Sequence, residues 1–184
     1  MAYSSVEHMG IVMLGMAAGG IGYYAAILHL ILHSFAKPAL FFQFGQIYRV
    51  YGSKSVYDVG YYFKYNITGA LVLLFAFFIV TAMPPSGMFI SEFLVFRSLF
   101  ESGYLWILIL VLILLTTIIW AFGKSVFKML FIKPVEFDES RLVPIPFSES
   151  VSQFILLALV IYLGLTPPHG LVELIQAAIS TLPK

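Results

Sequence analysis

The chain has 184 residues, of which 61% are hydrophobic, 17% aromatic and only 10% charged, and its mean hydropathy is +0.99. That composition belongs to an integral membrane protein, and a net charge of +1 argues against a nucleic-acid partner. With no cysteine the chain can form no disulfide, thiolate metal site or cysteine-ligated iron–sulfur cluster, so any redox cofactor must be supplied by a partner chain.

Apolar runs recur at the length needed to cross ~30 Å of hydrocarbon, which predicts an all-α helical membrane bundle rather than a barrel. The N-terminus has no positively charged stretch followed by a cleavage site, so no signal peptide is expected. Five membrane-crossing units can be drawn, forming one membrane domain over 1–184 with no soluble domain left over. The first covers about 5–18, and its entry, Ser4-Ser5-Val6-Glu7, reads as a capping box. Gly19, Gly20 and Gly22 make a tight turn into the second unit, about 22–48.

That second unit carries His29, His33 and Lys37 at successive spacings of four in an otherwise almost continuously apolar stretch. Four-residue spacing places them on one helix face, each roughly 6 Å above the last. A lysine at membrane depth costs about 2.5–3.5 kcal/mol even on the lenient insertion scale, which makes function the default reading. Histidine titrates near neutrality and lysine can be brought toward it by burial, so the stripe suits proton transfer. Ser34, Gln43 and Gln46 lie in or beyond it and can hold water. The bland alternative is that the histidines serve helix packing. A metal bound by His29 and His33 is disfavoured by the neighbouring Lys37 and by the lack of an acidic cluster in the sequence beside the pair.

The third unit, about 65–101, is interrupted at Met83-Pro84-Pro85-Ser86-Gly87, where two prolines remove backbone donors. If the interruption lies within the bilayer, 65–101 is one broken span, and Arg49, Lys54, Lys64, Lys124, Lys128, Lys133 and Arg141 share one side. By the positive-inside rule that side is cytoplasmic, in the cell inner membrane. Just past the break stands Glu92, which either meets water and joins the relay or anchors near the surface as a partner of Arg97. The fourth unit, about 104–130, is uniformly apolar up to Lys124 and Lys128, which can snorkel. A loop with Glu136, Asp138, Glu139, Arg141, Pro144 and Pro146 leads to the fifth, about 151–165; residues 167–184 are expected to lie along the outer surface.

Three motifs carry a family resemblance: Ser5-Val6-Glu7-His8-Met9-Gly10; His29-x3-His33-Ser34-Phe35-Ala36-Lys37-Pro38; and Met83-Pro84-Pro85-Ser86-Gly87-Met88-Phe89-Ile90-Ser91-Glu92-Phe93. In this order they resemble the antiporter-like membrane subunits of respiratory complex I and its relatives, with wording nearest the formate-hydrogenlyase-type nickel–iron hydrogenases. The resemblance implies two inverted repeats, each with a broken helix bearing a key lysine or glutamate and each contributing a half-channel. This chain resembles the C-terminal part, the second repeat, and alone is not expected to make a complete transmembrane path.

The resemblance further implies a proton relay of Lys37, His33, His29 and Glu92 at the break Pro84, Pro85 and Gly87, with the C-terminus periplasmic. Glu7, His8, Ser34 and Lys124 are further candidates, each with a structural role as its alternative. The chain would have no catalytic centre, metal or cofactor of its own. Iron–sulfur, nickel–iron, flavin or quinone groups would sit in partner subunits, namely other membrane subunits and a peripheral redox arm, and the ion would be the proton, with sodium as the alternative. Two other readings are a cation/proton antiporter complex of related fold and a non-conducting assembly subunit.

Overall fold

A computed structural model describes residues 2–133 and 145–182, with side chains from Ser4 onward. Met1, Glu136, Asp138, Glu139, Arg141, Pro144 and Lys184 lie outside the described residues. The regular structure of the described residues is helical, in the order α1 (Ala2–Ala18), α2 (Ile21–Tyr51), α3 (Tyr62–Tyr65), α4 (Ile67–Val80), α5 (Gly87–Glu101), α6 (Leu105–Phe131), α7 (Phe147–Leu165) and α8 (His169–Ser180). Helices α2, α6 and α7 are each long and apolar enough to cross a membrane, and α4 is a shorter apolar helix.

The first helix starts earlier than the capping-box reading places it. Ser4 lies inside α1, and its hydroxyl accepts a hydrogen bond from Lys37 Nζ instead of capping a helix end. Ala2, a strong helix former, lets the helix begin before the serines. Between α1 and α2 the chain reverses through Gly19 and Gly20, at φ 72° and 57°, where a Cβ would be strained. The result is an antiparallel hairpin in which α2 becomes the central post, packed by α1, α4, α5, α7 and α8.

Three contacts fix how the proline-interrupted unit runs along that post. Tyr62, just before α4, bonds Gln43 near the carboxyl end of α2; Ser91 of α5 bonds His29; and Ser98 donates to the Gly19 carbonyl at the α1–α2 turn. Helices α4 and α5 therefore run in one direction past α2, and the unit is a single broken span whose gap faces the middle of α2. Backbone groups freed at the gap find partners within it: Met83 N–H donates to the Phe78 carbonyl (2.9 Å), Ser86 N–H to that of Met83 (3.0 Å), and Thr81 Oγ1 to that of Phe77 (2.7 Å). Ser86 caps α5 by accepting from Phe89 N–H at 3.1 Å. Such internal satisfaction is what allows irregular backbone at membrane depth.

Basic groups gather at one end of the bundle. There Lys54 lies over the Tyr48 ring, Lys128 over Tyr57 at 3.8 Å, and Arg49 pairs with Glu149 across α2 and α7. At the other end Arg97 pairs with Glu101 within α5. Helix α6 stands apart, with Trp106 85% and Trp120 67% exposed, an apolar surface suited to lipid or to further protein. Helix α8 packs on α2, against which it buries Ile175.

Gly87, which opens α5, and Gly164, near the end of α7, touch backbone to backbone, and a Cβ on either would overlap the other helix's main chain. Replacing Gly164 with valine should therefore destabilise by about 1–3 kcal/mol and lower the thermal unfolding midpoint of the detergent-solubilised protein. Gly170→Val, at a position where a Cβ meets open space, should leave the midpoint unchanged.

Candidate functional site

The His/Lys face of α2 meets α1 and the start of α5, and the three helices together enclose a row of titratable groups. His8 and His29 are 2% and 0% exposed, Lys37 5%, and Glu92 6%, all inside a bundle read as spanning a membrane. His8 Nδ1 lies 3.1 Å from His29 Nε2 and 3.7 Å from Glu92 Oε1. The His8 ring sits against both neighbours on α2, with centroids 5.2 Å from His29 and 5.1 Å from His33. His29 Nδ1 lies 2.9 Å from Ser91 Oγ. At the far end of the row Lys37 donates to Ser4, with the Glu7 carboxylate in electrostatic range.

Ser91 sets the direction of the hydrogen bonds. Its single hydroxyl proton goes to the Met88 carbonyl at 2.9 Å, which leaves Ser91 Oγ as the acceptor from His29 Nδ1–H. His29 Nε2 is then an acceptor, and His8 Nδ1–H donates to it, with Glu92 Oε1 as a second, longer neighbour of the same proton. His33 is the open link, since its Nε2 is buried and has no protein partner among the described residues.

A cavity of about 610 Å³ opens beside the row, lined among others by Ser4, Glu7, His8, Glu92 and Thr81, and reaching toward Lys54 at the basic end. It holds room for many waters at roughly 30 Å³ each. Acid, imidazole and the edge of the helix break thus share one space.

The sequence candidates divide cleanly. Lys37, His33, His29 and Glu92 come together, and so do Glu7 and His8. Ser34 does not: it is exposed and donates to its own helix's Ile31 carbonyl at 2.6 Å. Lys124 is also exposed, over the Trp120 ring at 5.5 Å. Gln43 and Gln46 are buried on other faces of α2, toward α4 and α7. Arg97 is committed to Glu101, so the pairing of Glu92 with Arg97 does not occur. Three ligand atoms from His8, His29 and Glu92 lie within 4.8 Å of one another, so the acid absent from the local sequence is supplied in space by α5. That trio, and not His29 with His33, is the set that could take a metal ion. The residues not anticipated are Ser91, which orients His29, and Thr81 in the cavity wall.

Fold and site define a polytopic helical membrane protein organised around a buried row of titratable side chains at a helix break. The chain belongs to the NADH:quinone oxidoreductase/Mrp antiporter transmembrane family, whose profile matches residues 1–119. It is 33% identical to a hydrogenase-4 component F homolog of Methylacidiphilum infernorum over 76% of this chain and 28% of the relative. It is 28% identical to NADH-quinone oxidoreductase subunit N of Hydrogenovibrio crunogenus over 91% of this chain and 35% of the relative. In fold it matches a chain of the Mrp complex from Dietzia sp. DQ12-45-1b, with a TM-score of 0.85 at 19% identity, over 98% of this chain and 42% of that one. The chain thus spans about a third of the length of these curated relatives.

Removing the acceptor of His29 Nδ1–H strands a buried donor. Ser91→Ala should destabilise the solubilised protein by about 1–3 kcal/mol in thermal unfolding, whereas Ser34→Ala should stay within about 0.5 kcal/mol of the unsubstituted chain.

Proposed function

We propose that this chain is the proton-translocating part of a membrane subunit in a redox-driven complex of the NADH:quinone oxidoreductase or membrane-bound hydrogenase kind. The observation that carries this reading is the run of titratable groups from Lys37 through His33, His8 and His29 to Glu92, flanking a cavity and a broken helix. Proton passage through hydrocarbon needs groups that are charged or neutral at similar cost, joined by water or by hydrogen bonds. The relatives named as hydrogenase and quinone-reductase components favour a redox-driven complex over other assemblies.

In this reading Lys37 holds the proton at one end and Glu92 receives it at the other. A proton leaving Lys37 passes by water beside its partner Ser4 toward the His33 and His8 rings; from His8 the choice lies between His29 and the Glu92 carboxylate. A change of charge on Lys37 alters the proton affinity of Glu92 by Coulomb interaction, most strongly where water is sparse. The basic end faces the cytoplasm, the C-terminus the periplasm, and the membrane is the cell inner membrane. Other membrane subunits and a peripheral redox arm complete the complex, and the redox cofactors belong to those partners.

Lys37→Met and Glu92→Gln should each leave membrane insertion and complex assembly intact while lowering ion translocation at least about tenfold, measured as proton uptake by vesicles containing the assembled complex. Normal coupling in both variants would remove the relay, and a loss of assembly in both would point to a structural role.

A further inference from the structure

A second polar region lies between α2 and α7, away from the titratable row. Gln46 on α2 and Ser150 and Gln153 on α7 are 3%, 0% and 2% exposed. Lys37 and Gln46 are nine residues apart, which at roughly 100° per residue sets them on opposite sides of α2. Gln46 and Gln153 face a common cavity of about 470 Å³, which Arg49 and Glu149 also line. Those two residues form an ion pair, with Arg49 53% and Glu149 35% exposed, at the basic end of the bundle.

What marks this region is a surplus of acceptors. Gln46 Oε1, Gln153 Oε1 and Ser150 Oγ have no hydrogen-bond partner among the described residues. The nearby Gln153 amide nitrogen is already engaged, donating to the Glu149 carbonyl at 3.3 Å. Leaving a buried acceptor unpaired costs about 1–3 kcal/mol, and Gln46 and Gln153, which line the cavity, with Ser150 beside Glu149, demand donors that its apolar walls Phe41 and Phe42 do not provide. The cavity has room for several waters at roughly 30 Å³ each.

We infer that α2 and α7 enclose a water-binding inlet, in which ordered waters donate to the glutamine and serine oxygens and the Arg49–Glu149 ion pair forms the latch at its mouth. The waters run inward from that pair past Gln46 and Gln153 toward Ser150. The inlet is distinct from the cavity lined by His8 and Glu92, so it stands or falls separately from the relay.

The chain has no cysteine, so single introduced thiols report without background. Ser150→Cys is nearly isosteric and Gln153→Cys sits in the cavity wall, while Ile155→Cys, at a position 56% exposed on the apolar outside of α7, is the lipid-facing control. Membranes carrying the full chain would be treated with a charged, membrane-impermeant methanethiosulfonate. Both test thiols should react at least about tenfold faster than the control, because only a hydrated thiol ionises and meets the reagent. A second substitution, Glu149→Gln, should raise their rates several-fold further. Reaction of Ser150→Cys no faster than that of Ile155→Cys, in protein that inserts normally, would overturn the inlet. Rates indifferent to Glu149→Gln would overturn the latch, and slowing by sodium in place of potassium would replace the waters with a bound cation.

Discussion

The hydrogen bond between His8 and His29 ties the structure together. It joins α1 to α2 between buried side chains, and Ser91, from α5, takes the other nitrogen of the same imidazole. Three helices are thereby pinned at one depth, 21 and 62 residues apart in sequence. A hydrophobic surface alone gives membrane helices little preference for one another, since lipid tails are as apolar as leucine; polar side chains and close backbone approach select the neighbours. Here the polar contacts that select them are also the titratable groups, so packing and any proton transfer of the kind proposed would rest on the same side chains.

Breaking a helix inside hydrocarbon is affordable only where the exposed ends are answered. In residues 81–86 the answer comes from Thr81, Ser86 and the neighbouring carbonyls, and Ala82 accepts a left-handed backbone at φ 49° to make the turn. Glu92 follows in the second turn of α5, just beyond the break. A carboxyl group and a row of imidazoles therefore share one space without a permanent ion pair to hold them, an arrangement suited to groups that change charge.

Much of this was legible in the sequence, for physical reasons. The four-residue spacing of His29, His33 and Lys37 needs only the helical period to be read as one face, and paired prolines announce a break wherever they fall in an apolar run. The charge distribution then told in favour of a break at membrane depth. Less legible were the partners across helices. His8 looks like one residue of a helix start until α1 is laid against α2, and Ser91 looks like a small polar residue beside the more conspicuous Glu92. Ser34 and Lys124 show the opposite failure: their chemistry suits a relay, but residue type does not say which way a side chain points, and both point outward. The capping-box reading of Ser4 failed for a related reason, because Lys37, far along the chain, claims the serine hydroxyl.

The Gly87–Gly164 contact bears on motion as well as packing. Gly87 is the first residue of the half-helix that carries Glu92, and with no side chains between the two backbones there is nothing soft to absorb a displacement. A tilt of α5 that changed the surroundings of Glu92 would push directly on the end of α7. Because α7 is also tied to α2 at its opposite end through Glu149 and Arg49, it behaves as a strut between the break and the basic face. The charge state of a group in the middle of the membrane would in this way be felt mechanically at the surface, with no diffusing messenger between them.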